Sequence, residues 1–249
     1  ESDYRKYFQS MLSIYQKLRD ARFSAGSYLT IAAYVLAVEC DDAKEDEAIS
    51  KMRDFYNEMK AAHPLLTSRD DYASASVIAV SSLPSDLAAE RMERIYRKLD
   101  SSLRMFGQRD TLQAISSVLL LSDKDEDILI QNYIGAADLI RRNGIRPRHG
   151  SYLALAALCL VRDDILHDVE TVSALERELK SVRGFGNFSL NRDLRFSLIA
   201  YLLLSDFQVQ GSVGVAGIAT HMISLIIAQQ AAVIAASAAA SASAASASH

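Results

Sequence analysis

The chain has 249 residues, of which 50% are hydrophobic and 23% are charged, so it can bury a substantial core in one or two domains. Ten Gly, three Pro and no Trp argue against a loop-rich all-β protein, in which turn residues recur at short intervals. The net charge of -4 neither predicts nor excludes nucleic acid as a partner, because a local basic edge can coexist with an acidic average.

The first predicted element is an amphipathic helix, helix A, which recurs along the first 205 residues. One apolar position of this helix, here called the anchor, recurs at spacings of 41, 40, 41 and 39 residues. The five anchors are Leu18, Met59, Leu99, Ile140 and Leu179. The side chains three, four and seven positions before each anchor are uncharged, with Glu176 as the one exception. Positions spaced in this way share one face of a helix, so they are predicted to form the buried face of helix A.

A turn with Gly or Pro follows each helix A and leads into a second helix, helix B. The turns are predicted at 22–26, 63–68, 104–107, 143–147 and 183–187. Helix B is rich in Ala and Ser, whose small side chains allow helix backbones to approach closely. It is predicted to begin near five residues: Tyr28, Tyr72, Leu112, Tyr152 and Leu194.

A helix pair of this kind cannot bury both of its faces alone, so the pairs are expected to stack. The predicted fold class is all-α, a helical-repeat solenoid of about five helix-turn-helix units with a period near 40 residues, plus an Ala-rich C-terminal helix. A helical bundle whose helices have similar lengths by coincidence is the alternative. The predicted domains are a helical-repeat domain at 1–210 and a C-terminal helix and tail at 211–249.

The segment 211–249 contains no Asp, Glu, Lys or Arg and ends in a tract of Ala and Ser. Ala is the best helix former, so a helix that caps the last repeat or mediates self-association is favoured. Contact with a membrane and disorder of the Ala/Ser end stay open as alternatives. The lack of flanking Lys or Arg argues against a membrane span.

Charge is polarised between the two ends of the predicted helix pairs. The links from helix B to the next helix A are acidic, as at 41–47 and 123–127, whereas the turns from helix A to helix B are basic. Acids at helix N-termini and bases at C-termini complement the helix dipole, which explains the pattern structurally. The functional alternative is an anionic partner on the basic edge, which includes four arginines: Arg141, Arg142, Arg146 and Arg148.

The stretch from His63 to Tyr72 is the most distinctive polar segment. Ser68 and Asp71 have the spacing of a capping box that opens a helix B, and a small binding site is the alternative. The candidate binding surface combines this stretch with the basic edge: His63, Arg69, Asp70, Tyr72, Arg141, Arg142, Arg146 and Arg148.

Tests for catalytic and metal motifs find none, so no catalytic residue, metal or cofactor is predicted. The acidic loop at 123–127 lacks the Gly and Glu of a calcium loop, because Ile128 and Ile134 stand there, and it is predicted to cap a helix instead. Cys40 and Cys159 form no CxxC motif, and a reduced compartment is the simpler interpretation, although one disulfide between them is formally allowed.

Two segments resemble a bacterial family known as a domain of unknown function, numbered 4003. They are Tyr15 to Leu18, which leads into Phe23 to Ala33, and the stretch from His63 to Tyr72; the Ala-rich end is also similar. The resemblance implies a bacterial cytoplasmic protein, and the family offers no established catalytic residues. A weaker local resemblance, from Ala137 to Pro147 and at Tyr152, is to pentatricopeptide repeats, which bind single-stranded RNA.

Three functions follow from these observations. The leading hypothesis is a non-enzymatic helical-repeat scaffold that binds a protein or peptide partner, because stacked repeats create extended surfaces. RNA binding along the basic edge is the alternative, and binding would then weaken with salt. The third is an enzyme of unknown class with a pocket near His63, Asp70 and Asp71.

Overall fold

The computed structural model describes residues 3–103, 108–186 and 190–209, and no strand occurs among them. The predicted all-α class is confirmed. The segment 211–249 and the predicted turn at 104–107 lie outside the described residues. The described residues form ten α-helices in chain order: α1 (Asp3–Asp20), α2 (Ser27–Glu39), α3 (Glu45–Ala62), α4 (Tyr72–Val80), α5 (Ser85–Leu103), α6 (Arg109–Leu119), α7 (Glu126–Arg142), α8 (His149–Val161), α9 (Ile165–Ser181) and α10 (Arg192–Val209).

The odd-numbered helices bury the predicted face. Leu18, Met59, Leu99 and Ile140 are completely buried in α1, α3, α5 and α7, as the spacing predicts. In α9 the anchor is only partly buried and Leu175 is 39% exposed. Each earlier odd-numbered helix has a later one against it, whereas no described odd-numbered helix follows α9. The last predicted face therefore stays partly open.

Three of the even-numbered helices, α2, α4 and α8, are apolar on nearly all sides. Every residue from Tyr72 to Ala79 in α4, and every residue from Ser151 to Leu160 in α8, is buried. A helix with this composition is stable only when neighbours cover it all round. The small side chains of Ala33 in α2 and Ala73 in α4 are fully buried, and α2 packs extensively against α4.

Helices pack in a regular order along the chain. Each odd-numbered helix packs against the even-numbered helix that follows it, and α3, α5, α7 and α9 also contact one another in series. Among the even-numbered helices, α2 packs on α4, α6 on α8, and α8 on α10. The contact between α4 and α6 is much smaller, so the layer of even-numbered helices parts at this point.

Two of the predicted turns share one hydrogen-bond pattern. The N–H of Phe23 donates to the Leu18 carbonyl at 3.1 Å, and the N–H of Ile145 donates to the Ile140 carbonyl at 3.1 Å. The residue before each apolar side chain has a positive φ, 69° at Arg22 and 76° at Gly144, which is the left-handed helix ending. Both apolar side chains are buried under the helix end.

Caps fix several helix starts as predicted. Ser68 and Asp71 form the capping box, which opens a short 3-10 turn (Arg69–Asp71) before α4. The Asp125 carboxylate accepts from the N–H groups of Asp127 and Ile128 and caps α7, so the acidic loop is a capping loop. The predicted starts of α6, α8 and α10 lie two or three residues too late, because their first turns are polar and lack the apolar periodicity.

A lysine near the end of one odd-numbered helix binds the acidic start of the next. The ammonium of Lys17 lies 2.9 Å from a carboxylate oxygen of Glu45 and from one of Asp46. The ammonium of Lys98 lies 2.9 Å from Glu126 and 2.6 Å from Asp127. The second set is the first set shifted by 81 residues.

A buried ion pair joins α9 to α10 at a position that is uncharged in the other odd-numbered helices. Glu176 is completely buried and binds Arg195, also completely buried, at 2.6 Å, and Arg192 at 2.9 Å. The Arg195 guanidinium also donates to the carbonyls of Phe185 and Leu190. Glu176 is the one charged position in the predicted buried faces, and these arginines explain how a charge is accommodated there.

Cys40 and Cys159 are free thiols. Within the described residues no helix combines the length and the apolar character that crossing a membrane requires.

Candidate functional site

A cleft opens where α4 and α6 part. It encloses about 50 Å³, enough room for a few water molecules or a small polar group. Four apolar side chains form part of its wall: Leu66, Ala114, Val118 and Leu153. Seven more residues, all with polar side chains, complete the lining: Tyr28, Ser68, Asp70, Asp71, Ser74, Asp110 and His149. The lining of the cleft therefore combines apolar side chains with three carboxylates.

Asp71 lies on the α4 side of the cleft, and both of its carboxylate oxygens accept hydrogen bonds. Its Oδ2 accepts from the N–H of Ser68 at 2.8 Å, and its Oδ1 accepts from the side-chain amide of Gln113 in α6 at 3.2 Å. The carboxyl is 8% exposed. Burial raises the pKa of Asp71 to about 6, although the hydrogen bonds from Ser68 and Gln113 pull the pKa down in part.

Gln113 bridges the two helices that border the cleft. Its amide nitrogen also lies 3.1 Å from the Thr67 hydroxyl oxygen, and the Thr67 hydroxyl lies 3.0 Å from the Met59 carbonyl. Gln113 is 1% exposed and Thr67 is 2% exposed. Buried polar side chains that satisfy one another restrict the geometry around them, so this network fixes the separation of α4 and α6 at one end of the cleft.

His149 is the first residue of α8 and is half-buried. Its Nδ1 lies 3.1 Å from the Thr111 hydroxyl oxygen, and within the described residues its Nε2 makes no hydrogen bond. Burial lowers the pKa of His149, against the opposite pull of Asp110, Asp70 and Asp193. Burial therefore favours the neutral form of the ring.

The cleft is negatively charged at neutral pH. Its lining includes Asp70, Asp71 and Asp110 and no described Lys or Arg. None of the three carboxylates forms an ion pair with another described residue. The lining accepts hydrogen bonds readily and favours a cation. No three described His, Cys, Asp or Glu residues are placed to hold a metal ion.

The residues of the predicted site between His63 and Tyr72 lie in different surroundings in the structure. Asp70 lines the cleft, whereas Nε2 of His63 lies 2.7 Å from the Glu93 carboxylate, and the His63 ring packs on Tyr96. The exposed Arg69 side chain donates to the Ala25 carbonyl at 3.4 Å.

The contacts of Tyr72 indicate a role in stabilising the fold. It is 4% exposed, and its ring packs edge-on against Phe23 and Tyr56. Its hydroxyl oxygen accepts from the N–H of Ser24 at 3.2 Å. Tyr72 therefore joins the turn after α1 to the start of α4 and does not reach an exposed surface.

The four arginines of the predicted basic edge lie away from the cleft lining. Arg141 binds Asp138 at 3.0 Å and the Tyr152 hydroxyl at 2.7 Å, so it stabilises the pairing of α7 with α8. The side chains of Arg142, Arg146 and Arg148 are exposed.

Three residues of the cleft region are missing from the sequence prediction: Asp110, Gln113 and His149. The sequence could have indicated Gln113, because a polar side chain at a buried position of an apolar helix needs a buried partner. Asp110 and His149 carried none, because polar residues are ordinary at the start of a helix.

Comparisons with known proteins agree with the resemblance noted in the sequence. The chain is 23% identical to the uncharacterised protein YeaA of Bacillus subtilis (strain 168) over 233 residues, which cover 93% of this chain and 68% of that protein. No solved structure matches the chain. The family of proteins of unknown function DUF4003 matches residues 1–231, and the chain therefore belongs to this family.

Proposed function

We propose that the chain is a non-enzymatic helical-repeat scaffold that binds a protein or peptide partner in the cleft between α4 and α6. The observation that carries the proposal is the cleft itself, in which apolar and polar side chains converge from several helices. The polar end of a partner's side chain fits a space of this size.

The stacked-repeat part of the proposal has two supports. Odd-numbered helices contact one another in series, and most even-numbered helices do the same. Such contacts between successive neighbours are typical of a solenoid. The bonds of Lys17 to Glu45 and of Lys98 to Glu126 occupy corresponding positions 81 residues apart, or two periods. A coincidental bundle gives no reason for this recurrence.

The proposed scaffold acts in the bacterial cytoplasm. Cys40 and Cys159 are both free thiols, which suits a reducing compartment.

The test compares two variants that add the same side chain at different places. Ala114→Arg fills the half-buried wall of the cleft, and Ala61→Arg adds an arginine to an exposed position of α3. Each tagged variant is used to capture partners from lysate of the producing bacterium, after circular dichroism has shown that it is folded. We expect a stoichiometric partner with the wild type and with Ala61→Arg, and its loss with Ala114→Arg. Equal capture by all three proteins would overturn the cleft as the binding site.

RNA binding along the basic edge is the second candidate function. Its support is that Arg142, Arg146 and Arg148 are exposed and form no ion pair with a described residue. If phosphates bind there, affinity for labelled single-stranded RNA falls steeply as salt is added, and Arg146→Gln with Arg148→Gln weakens it further. Absence of a mobility shift at low salt would dismiss this function.

A further inference from the structure

We infer that the cleft between α4 and α6 receives an arginine side chain from a segment of the partner polypeptide. The inference rests on the proposed function, since it names the chemistry of the partner that the scaffold binds. It is carried by the shape of the cleft, by the carboxylates on its two borders and by its apolar wall.

The carboxylates come from both sides of the opening. Asp70 and Asp71 belong to the turn before α4, and Asp110 belongs to the first turn of α6. The charge of the Lys60 ammonium lowers the pKa of Asp71, but two carbonyl oxygens, those of Pro64 and Thr67, hold that ammonium at 2.7 and 2.6 Å. The cleft thus lacks a cation of its own among the described residues, and a bound cation would offset its negative charge.

The remaining lining fits an arginine better than a compact cation. Leu66 and Ala114 are half-buried and line the cleft, so their exposed apolar surface can cover the methylene stem of the side chain. The ring of His149 also lines the cleft, and a guanidinium both stacks on rings and donates several hydrogen bonds in one plane. Acceptors on two borders of a narrow cleft match that planar set of donors.

Other ligand classes fit less well. A phosphate or another anion would meet three carboxylates in the cleft, and like charges at short distance repel strongly. A metal ion lacks the ligands, because no described group of three suitable side chains exists. A wholly apolar side chain would leave Asp71 and Asp110 without any compensation for the water they lose.

The first experiment selects peptides without assuming a sequence. A phage-displayed library of random peptides is selected on the wild-type chain, with Ala114→Arg used to discard phage that bind outside the cleft. We expect the selected peptides to share one arginine between apolar residues. Selected peptides that bind the cleft but share no arginine, or that share lysine instead, would overturn the inference and leave the proposed function standing. Failure to select any cleft-binding peptide would count against the proposed function itself.

The second experiment measures one selected peptide by titration calorimetry. Asp110→Asn removes one carboxylate of the cleft, and Asp54→Asn makes the same change at an exposed position of α3. We expect Asp110→Asn to weaken binding by about 10-fold, as loss of a charged hydrogen-bond partner does, and Asp54→Asn to change the dissociation constant by less than about twofold. Replacing the peptide arginine by glutamine should weaken binding as much as Asp110→Asn does. If both carboxylate variants bind equally well, the guanidinium does not lie between the carboxylates and the inference is wrong.

Discussion

Asp71 gives the sharpest test of the electrostatics of the cleft. Burial raises its pKa from the ordinary 3.8 to about 6, so the folded chain holds the proton more tightly than the unfolded chain does. The stabilising contribution is complete below about pH 4 and is lost as the pH rises through 6. The whole effect is about 3 kcal/mol, of which about 1.4 kcal/mol falls between pH 5 and pH 8.

Asp71→Asn keeps the shape of the side chain and cannot ionise. We expect the variant to gain about 1.4 kcal/mol of unfolding free energy relative to the wild type between pH 5 and pH 8. Urea unfolding followed by circular dichroism at both pH values measures this gain, and the comparison cancels every other titrating group. Ser68→Ala disturbs the same capping box without removing an ionisable group, so its effect should be equal at both pH values. If the unfolding free energy of Asp71→Asn, relative to the wild type, stays constant or falls as the pH rises, the raised pKa of Asp71 is refuted.

Three further predictions concern stability and are checked by the same unfolding measurement. Ser68→Ala should cost about 1 kcal/mol, the usual loss of a helix cap. Leu99→Ala, at a completely buried position, should cost about 2–5 kcal/mol, whereas Leu175→Ala should cost far less because that side chain is 39% exposed; equal losses would contradict the packing of α9. Arg195→Leu should cost about 3–5 kcal/mol because it removes the buried partner of the Glu176 carboxylate and leaves only Arg192 to bind it. Adding Glu176→Leu should restore most of the loss; a double variant no better than the single one would show that the arginine acts mainly through its carbonyl partners.

The sequence predicts the fold to the extent that the fold is periodic. The buried faces of α1, α3, α5 and α7 follow from apolar spacing alone, because a helix places residues four and seven apart on one side. The same spacing predicts Leu175 to be buried, and it is not. Periodicity shows which side of a helix is apolar, but whether that side is covered depends on the next helix.

The candidate site is not periodic, and this explains why the sequence predicts only part of it. Ser68 and Asp71 have a recognisable local spacing, and the capping box is confirmed. The second role of Asp71, as a buried acceptor for Gln113, depends on contact with a helix 42 residues further along the chain. No local pattern contains that distance, so Asp110 and His149 also read as ordinary helix starts.

The cleft lies at a boundary where the lysine bond between successive odd-numbered helices is absent. Lys17 joins α1 to α3 and Lys98 joins α5 to α7, but the corresponding position in α3 is Glu58. The lysine bond is therefore lacking between α3 and α5, the place at which α4 and α6 also part. The carboxylates of the cleft come from both sides of this boundary, Asp71 from the first four helices and Asp110 from the next four. A cation bound between them would add, from outside the chain, a charged link between the helices on the two sides of the cleft.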